Sequence, residues 1–139
     1  MAARRFALDE AEALLPYLTG MLSKMQDLKL EHDRIQRRIA KLELKTRSNG
    51  HEIAPDIREA RESLQSAARE LKALVEQVHS LGCEIKGIDE GLIDFRTEMA
   101  GREVYLCWKL GEERIEWWHE LETGFGGRQH LPERRAGQS

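Results

Sequence analysis

Six residues in the second half of the chain carry most of its chemical potential. Cys83, Asp94, Glu112 and His119 offer a thiol, two carboxylates and an imidazole, a set that could hold a divalent metal ion or move protons. Asp94, Arg102, Glu112, His119 and Arg128 could instead surround a concave site and take a small anionic ligand or a partner. Neither set has a diagnostic spacing. His-Glu occurs at His51-Glu52 and His119-Glu120, but no second histidine follows four residues on, so the helical zinc-protease motif is absent. "TGFGGRQ", from Thr123 to Gln129, could wrap an anion. It lacks the lysine and Ser/Thr of a phosphate loop and reads as a flexible tail. Each candidate also has a structural reading. His119 can be a core histidine bonded to a carboxylate or carbonyl, and Cys83 a buried thiol. Alternation within "LIDF" sends Asp94 to a solvated face.

The elements that must position these residues begin at Gly82. "CEIKGI", "LIDF", "EVYLCWK" and "RIEWWHE" are short, rich in β-branched and aromatic residues, and separated by turn-forming "DEG", "TEMAG" and "LGE". Four strands in an antiparallel meander are expected over residues 82–121, with a glycine-rich, basic tail over 122–139. Placing Lys109 opposite Arg114 sets Trp108 against Ile115, Leu106 against Trp117 and Val104 against His119. That register gathers the apolar side chains on one face, whereas a one-residue slip mixes the faces. It also sends Cys107 and His119 to opposite faces, which argues against a Cys107–His119 metal or thiolate–imidazole pair.

Ahead of the sheet lie two helical patterns. Apolar residues from Ala11 to Leu42 recur every three or four positions, and Ile53 to Leu81 keep an unbroken heptad seam. "RSNGHEIAPD" separates them, with a helix stop at Asn49-Gly50 and a restart at Pro55-Asp56. The expectation is an antiparallel, coiled-coil-like hairpin over residues 6–81, pairing Leu42 with Ile57 and Leu18 with Leu81. Helix 1 then overshoots by residues 6–17, Pro16 kinks it there, and the sheet packs on the overshoot. Two helices cover only part of each seam, so a homodimer through the stalk is expected.

Composition sets outer limits. The 139 residues, read as a single domain over 1–139, hold 25 acidic and 22 basic side chains, so no global field selects nucleic acid or membrane. No apolar run spans a bilayer and no secretory signal opens the chain, which points to the cytoplasm. Two cysteines make no disulfide framework. Arg34, Arg37, Arg38, Lys41, Lys45 and Arg47 form a basic tip that could bind nucleic acid. Glu52, Asp56, Glu59 and Glu62 beside it are better read as cross-helix partners, and no aromatic is there to stack a base.

"EAEALLPYL", "GCEIKGIDEGLIDF", "GREVYLCWKLGE", "WH" and "GFGGR" together resemble a conserved hypothetical prokaryotic family, domain of unknown function 2203, over Phe6 to Arg128. The resemblance implies a small protein of helices plus a compact carboxy-terminal region and brings no activity. Ala7 stands where a capping Ser or Thr would be expected, and Asp9 is expected to take that role. The reading is thus an α+β binding or assembly module. It would oligomerise through its stalk, with an anionic-ligand or partner site at the sheet end. The alternatives are a divalent-metal protein or enzyme using His119, Asp94, Glu112 and Cys83, and nucleic-acid binding by the tip.

Overall fold

Proline interrupts the first apolar run where its missing amide requires. A computed structural model describes residues 4–132, and in it α1, Leu8–Ala13, ends two residues before α2, Leu15–Ser80, opens with Pro16 in its first turn. The Leu14 amide turns back to Ala11 and Glu12, and Leu18 resumes the ladder onto the Leu14 carbonyl. The expected kink is therefore a break between helices. The α1 entry is not capped by Asp9. The Ala7 amide donates to Glu10 Oε1 at 2.8 Å, the reciprocal half of a capping box whose side-chain half alanine cannot supply.

Two compact units make up the chain. Ser23–Val75 is helical throughout and doubles back on itself. Arg61 Nη2 lies 3.1 Å from Glu43 Oε2 across 18 residues, a separation of ~27 Å along a straight helix. Long helices of about 34 and 30 residues result. The expected loop does not exist as non-helical chain, because residues 47–56 are all helical. Pro55 sits early in the second arm, where its fixed φ already suits a helix. Met25, Ile35, Ile57, Ala60 and Ala67 are buried, while Leu28, Ile39, Leu42, Leu64, Leu71 and Leu74 are only half-buried. No helix among the described residues is long and apolar enough to cross a membrane.

The other unit joins the residues up to Leu22 to those from Glu76 onward. It holds five antiparallel strands in sequential order: β1 Glu84–Gly87, β2 Leu92–Met99, β3 Arg102–Lys109, β4 Trp117–His119 and β5 Gln129–His130. The amino-terminal segment docks on this sheet, as expected. Phe6 donates its amide to the Arg96 carbonyl at 2.7 Å and sets its ring edge-on to Phe95 at 5.3 Å. Residues 84–109 form a three-stranded meander whose β1–β2 register shifts between Ile85 and Gly87, and β2 and β3 turn at Ala100-Gly101, both at positive φ (52° and 78°).

Two sequence expectations fail in the sheet. Part of the predicted tail is a fifth strand: β5 pairs with β4, and the His130 ring stacks on Trp117 at 3.8 Å. The β3–β4 register is also the slipped one, with Tyr105 opposite His119, Leu106 opposite Trp118 and Cys107 opposite Trp117. The tight turn assumed for that hairpin is a wide loop. Ile115 leaves the strand, and its amide reaches Glu12 Oε2 of α1 at 2.9 Å. With Ile115 buried this way, the adjacent tryptophans divide between the faces. Trp118 joins Phe95, Leu106 and Trp108 in burial, while Trp117 turns to His130 and the Arg128 guanidinium, 4.7 Å from its ring.

Candidate functional site

The observed register puts Cys107 and His119 on one face of the sheet, and β2 adds Asp94 directly opposite Cys107. Alternation does place Asp94 on the outer face, but that face is not solvated there. Asp94, Cys107 and His119 are each about 1 % exposed. Among the described residues they form the one group of three metal-capable side chains, with donor atoms all within 4.8 Å of one another.

The hydrogen bonds order this trio. His119 Nδ1 lies 2.7 Å from the Glu120 carbonyl oxygen, which can only accept, so Nδ1 carries a proton. Nε2 then faces Asp94 Oδ2 at 2.9 Å, and a single proton bridges the two. The Cys107 Sγ lies within 4.8 Å of both of these donors. Burial raises Asp94 above the ordinary carboxylate range, with the His119 imidazole pulling the other way. Burial, reinforced by the Asp94 charge, pushes the Cys107 thiol up to about 12. The metal-free trio is thus a protonated, electrically quiet cluster rather than a thiolate nucleophile.

A charged ring flanks it. The Tyr105 ring sits 5.3 Å from His119, and its hydroxyl donates to Glu84 at 2.9 Å. Burial opposes ionisation of Glu84, yet the Tyr105 hydroxyl, Lys86 and Arg96 together hold it below the ordinary value. Lys86 Nζ lies 3.2 Å from Glu84 and 4.7 Å from the centre of the Tyr105 ring.

Asp94, Cys107 and His119 line a cavity of about 360 Å³, together with Lys86, Leu92 and residues 121–125. The segment expected to be a tail therefore helps to enclose the site. It turns through a short 3₁₀ helix, Phe125–Gly127, and Gly127 lies so close to Thr123 that an added Cβ would come within 2.5 Å of that side chain. Arg128 pins the segment. It bonds Glu112 at 3.0 Å, reaches the Cys107 carbonyl at 3.4 Å, and stacks 4.6 Å from the Phe125 ring centre.

The structure divides the predicted site residues. It joins Asp94 to His119. Arg128 and Glu112 pair with each other, and Arg102 pairs with Glu120 at 2.6 Å, so the expected cluster of those charges around one ligand does not form. None of the three lines the cavity. Cys83 is apart from the trio: its thiol donates to the Val78 carbonyl at 3.4 Å, and burial pushes its pKa up to about 11. Cys107, set aside on register grounds, is the missed member. The signal for its place was the Ala100-Gly101 turn, because a two-residue turn there puts 94 opposite 107.

A five-stranded antiparallel sheet with a buried acid–thiol–imidazole trio, preceded by long helices, defines a small α+β protein. The chain belongs to the family described as an uncharacterized conserved protein, DUF2203, whose model matches residues 4–131. No curated protein and no solved structure matches the chain.

Proposed function

We propose that the protein is a ligand-binding module whose pocket lies on the outer face of the sheet, with Asp94, Cys107 and His119 as its floor. One observation carries this reading: three polar side chains are buried together beneath a cavity instead of being exchanged for apolar ones. Burying such groups costs folding free energy, and clusters of this kind concentrate at functional sites. The volume, about 360 Å³, is at the small end of ligand pockets. Leu92, Leu121 and Phe125 favour an apolar body, and the Lys86 ammonium favours one acidic group. A small carboxylic acid fits that lining.

The test is a screen of small carboxylic acids by amide chemical shifts on the purified chain. Shifts at Leu121–Phe125 and His119 are the expected result. Binding that moves only other parts of the chain would end the reading.

Self-association is the second part of the proposal. The half-buried leucines of the helical unit, Leu64 and Leu71 among them, leave apolar surface that a second copy would cover. Nucleic-acid binding is less favoured. Arg34 and Arg38 line a groove together with Glu31, Asp56 and Glu59, so the field there is of mixed sign.

A further inference from the structure

We propose that Asp94, Cys107 and His119 hold one zinc-class dication through a carboxylate oxygen, Sγ and Nε2, with its fourth position turned to the cavity. The donor set is one imidazole, one sulfur and one carboxylate, a mixture that suits zinc or cobalt(II) and is too soft for magnesium or calcium. Three protein ligands beside an open space is the arrangement of zinc sites that take a further ligand.

Geometry supports the assignment twice. Donors on a tetrahedral zinc ion lie roughly 3.3–3.6 Å apart, given bond lengths of about 2.0–2.3 Å. The three atoms lie within 4.8 Å of one another, so an ion that replaces the proton between Nε2 and Oδ2 widens a 2.9 Å contact slightly and draws the three donors to a common distance. Independently, the Nδ1 proton is tied to the Glu120 carbonyl at 2.7 Å. A backbone carbonyl on the far nitrogen is a common support of a metal-bound histidine, fixing both tautomer and ring orientation.

Charge balances as well. The metal-free trio holds the proton shared by Asp94 and His119 and the thiol proton of Cys107. One dication entering and two protons leaving keeps the cluster neutral, so the buried site gains no net charge on loading. Nothing is oxidised or reduced.

The inference rests on the pocket reading for its open fourth position, and the two fail separately. Chelator-stripped protein is titrated with cobalt(II) chloride. One equivalent is expected to give the visible bands of tetrahedral cobalt and a near-ultraviolet thiolate charge-transfer band, both removed by one equivalent of zinc. Cys83→Ser leaves both unchanged. Cys107→Ser loses the thiolate band and binds at least tenfold more weakly. If Cys107→Ser does not fold, Asp94→Asn, a near-isosteric replacement, must show a tenfold loss while its circular dichroism stays native. Absence of tetrahedral bands in the stripped protein overturns the proposal, and so does a thiolate band that follows Cys83. Cobalt bands without carboxylic-acid binding at Leu121–Phe125 leave the metal site and remove the pocket; the reverse result does the opposite.

Discussion

At the scale of single residues, Asp94 carries the clearest conflict between stability and use. Its folded pKa lies above the unfolded value because burial penalises the carboxylate. The folded chain therefore holds a proton that the unfolded chain has released. Stability from this group is full below the unfolded pKa and is lost as pH rises towards the folded one. An asparagine side chain at this position is neutral at every pH. Its amide could donate to His119 Nε2, and its oxygen could accept from the Cys107 thiol. Metal-free Asp94→Asn is therefore expected to be more stable than wild type at pH 7 by roughly 1 kcal/mol, about 3 °C in Tm. The gain should shrink as pH falls through the acidic range, and thermal melts at a series of pH values measure it. A lower Tm at pH 7 would show that the carboxylate stabilises the metal-free fold.

At the scale of elements, the sheet shows where sequence patterns decide structure and where they do not. The β2–β3 hairpin was legible as a strand pair, although Thr97–Met99, expected in the turn "TEMAG", continue β2. Its strands alternate cleanly, and Ala100-Gly101 is the right length for a two-residue turn. Both turn residues adopt positive φ, which suits Gly101 and strains Ala100. Ala100→Asn creates the Asn-Gly pair favoured in such turns. It is expected to stabilise the protein by about 1 kcal/mol, read as a shifted urea midpoint with an unchanged slope. An unchanged or lower midpoint would argue against the left-handed turn. The β3–β4 register was not legible, for two physical reasons. Trp117 and Trp118 are adjacent, so either could serve as the apolar side chain. The partners that decide between them are Glu12 for Ile115, 103 residues away, and Arg128 with His130 for Trp117, which fall in the stretch expected to be a tail. The candidate site inherited that error. The Ala100-Gly101 turn sets Cys107 beside Asp94, but His119 could be joined to them only once the β3–β4 register was known. The glycines of residues 124–127 suggested a tail because composition does not reveal that Arg128 fastens the segment.

At the scale of the whole molecule, the helical pattern was the most readable part. Every seam position between Met25 and Val78 proves buried or half-buried, because a 3.5-residue repeat leaves few other ways to hide apolar side chains. Self-association through the half-buried positions predicts a sedimenting mass near twice the 16.0 kDa chain at tens of micromolar protein. The double change Leu64→Glu, Leu71→Glu should return a folded monomer. A wild-type monomer at every concentration would remove the dimer. The bonds of the amino-terminal segment have a consequence of another kind. Arg4 donates to the Leu81 carbonyl, Phe6 to the Arg96 carbonyl, and Glu12 accepts from the Ile115 amide. The helical arms meet across as few as 18 residues, at Glu43 and Arg61, so they can zip up early and fast. Closure of the sheet unit must wait for chain made much later. During synthesis, residues 4–12 remain without their docking surface until the stretch through Ile115 has emerged. Phe6, which packs on Phe95 in the folded sheet, is therefore without that cover while the chain is being made.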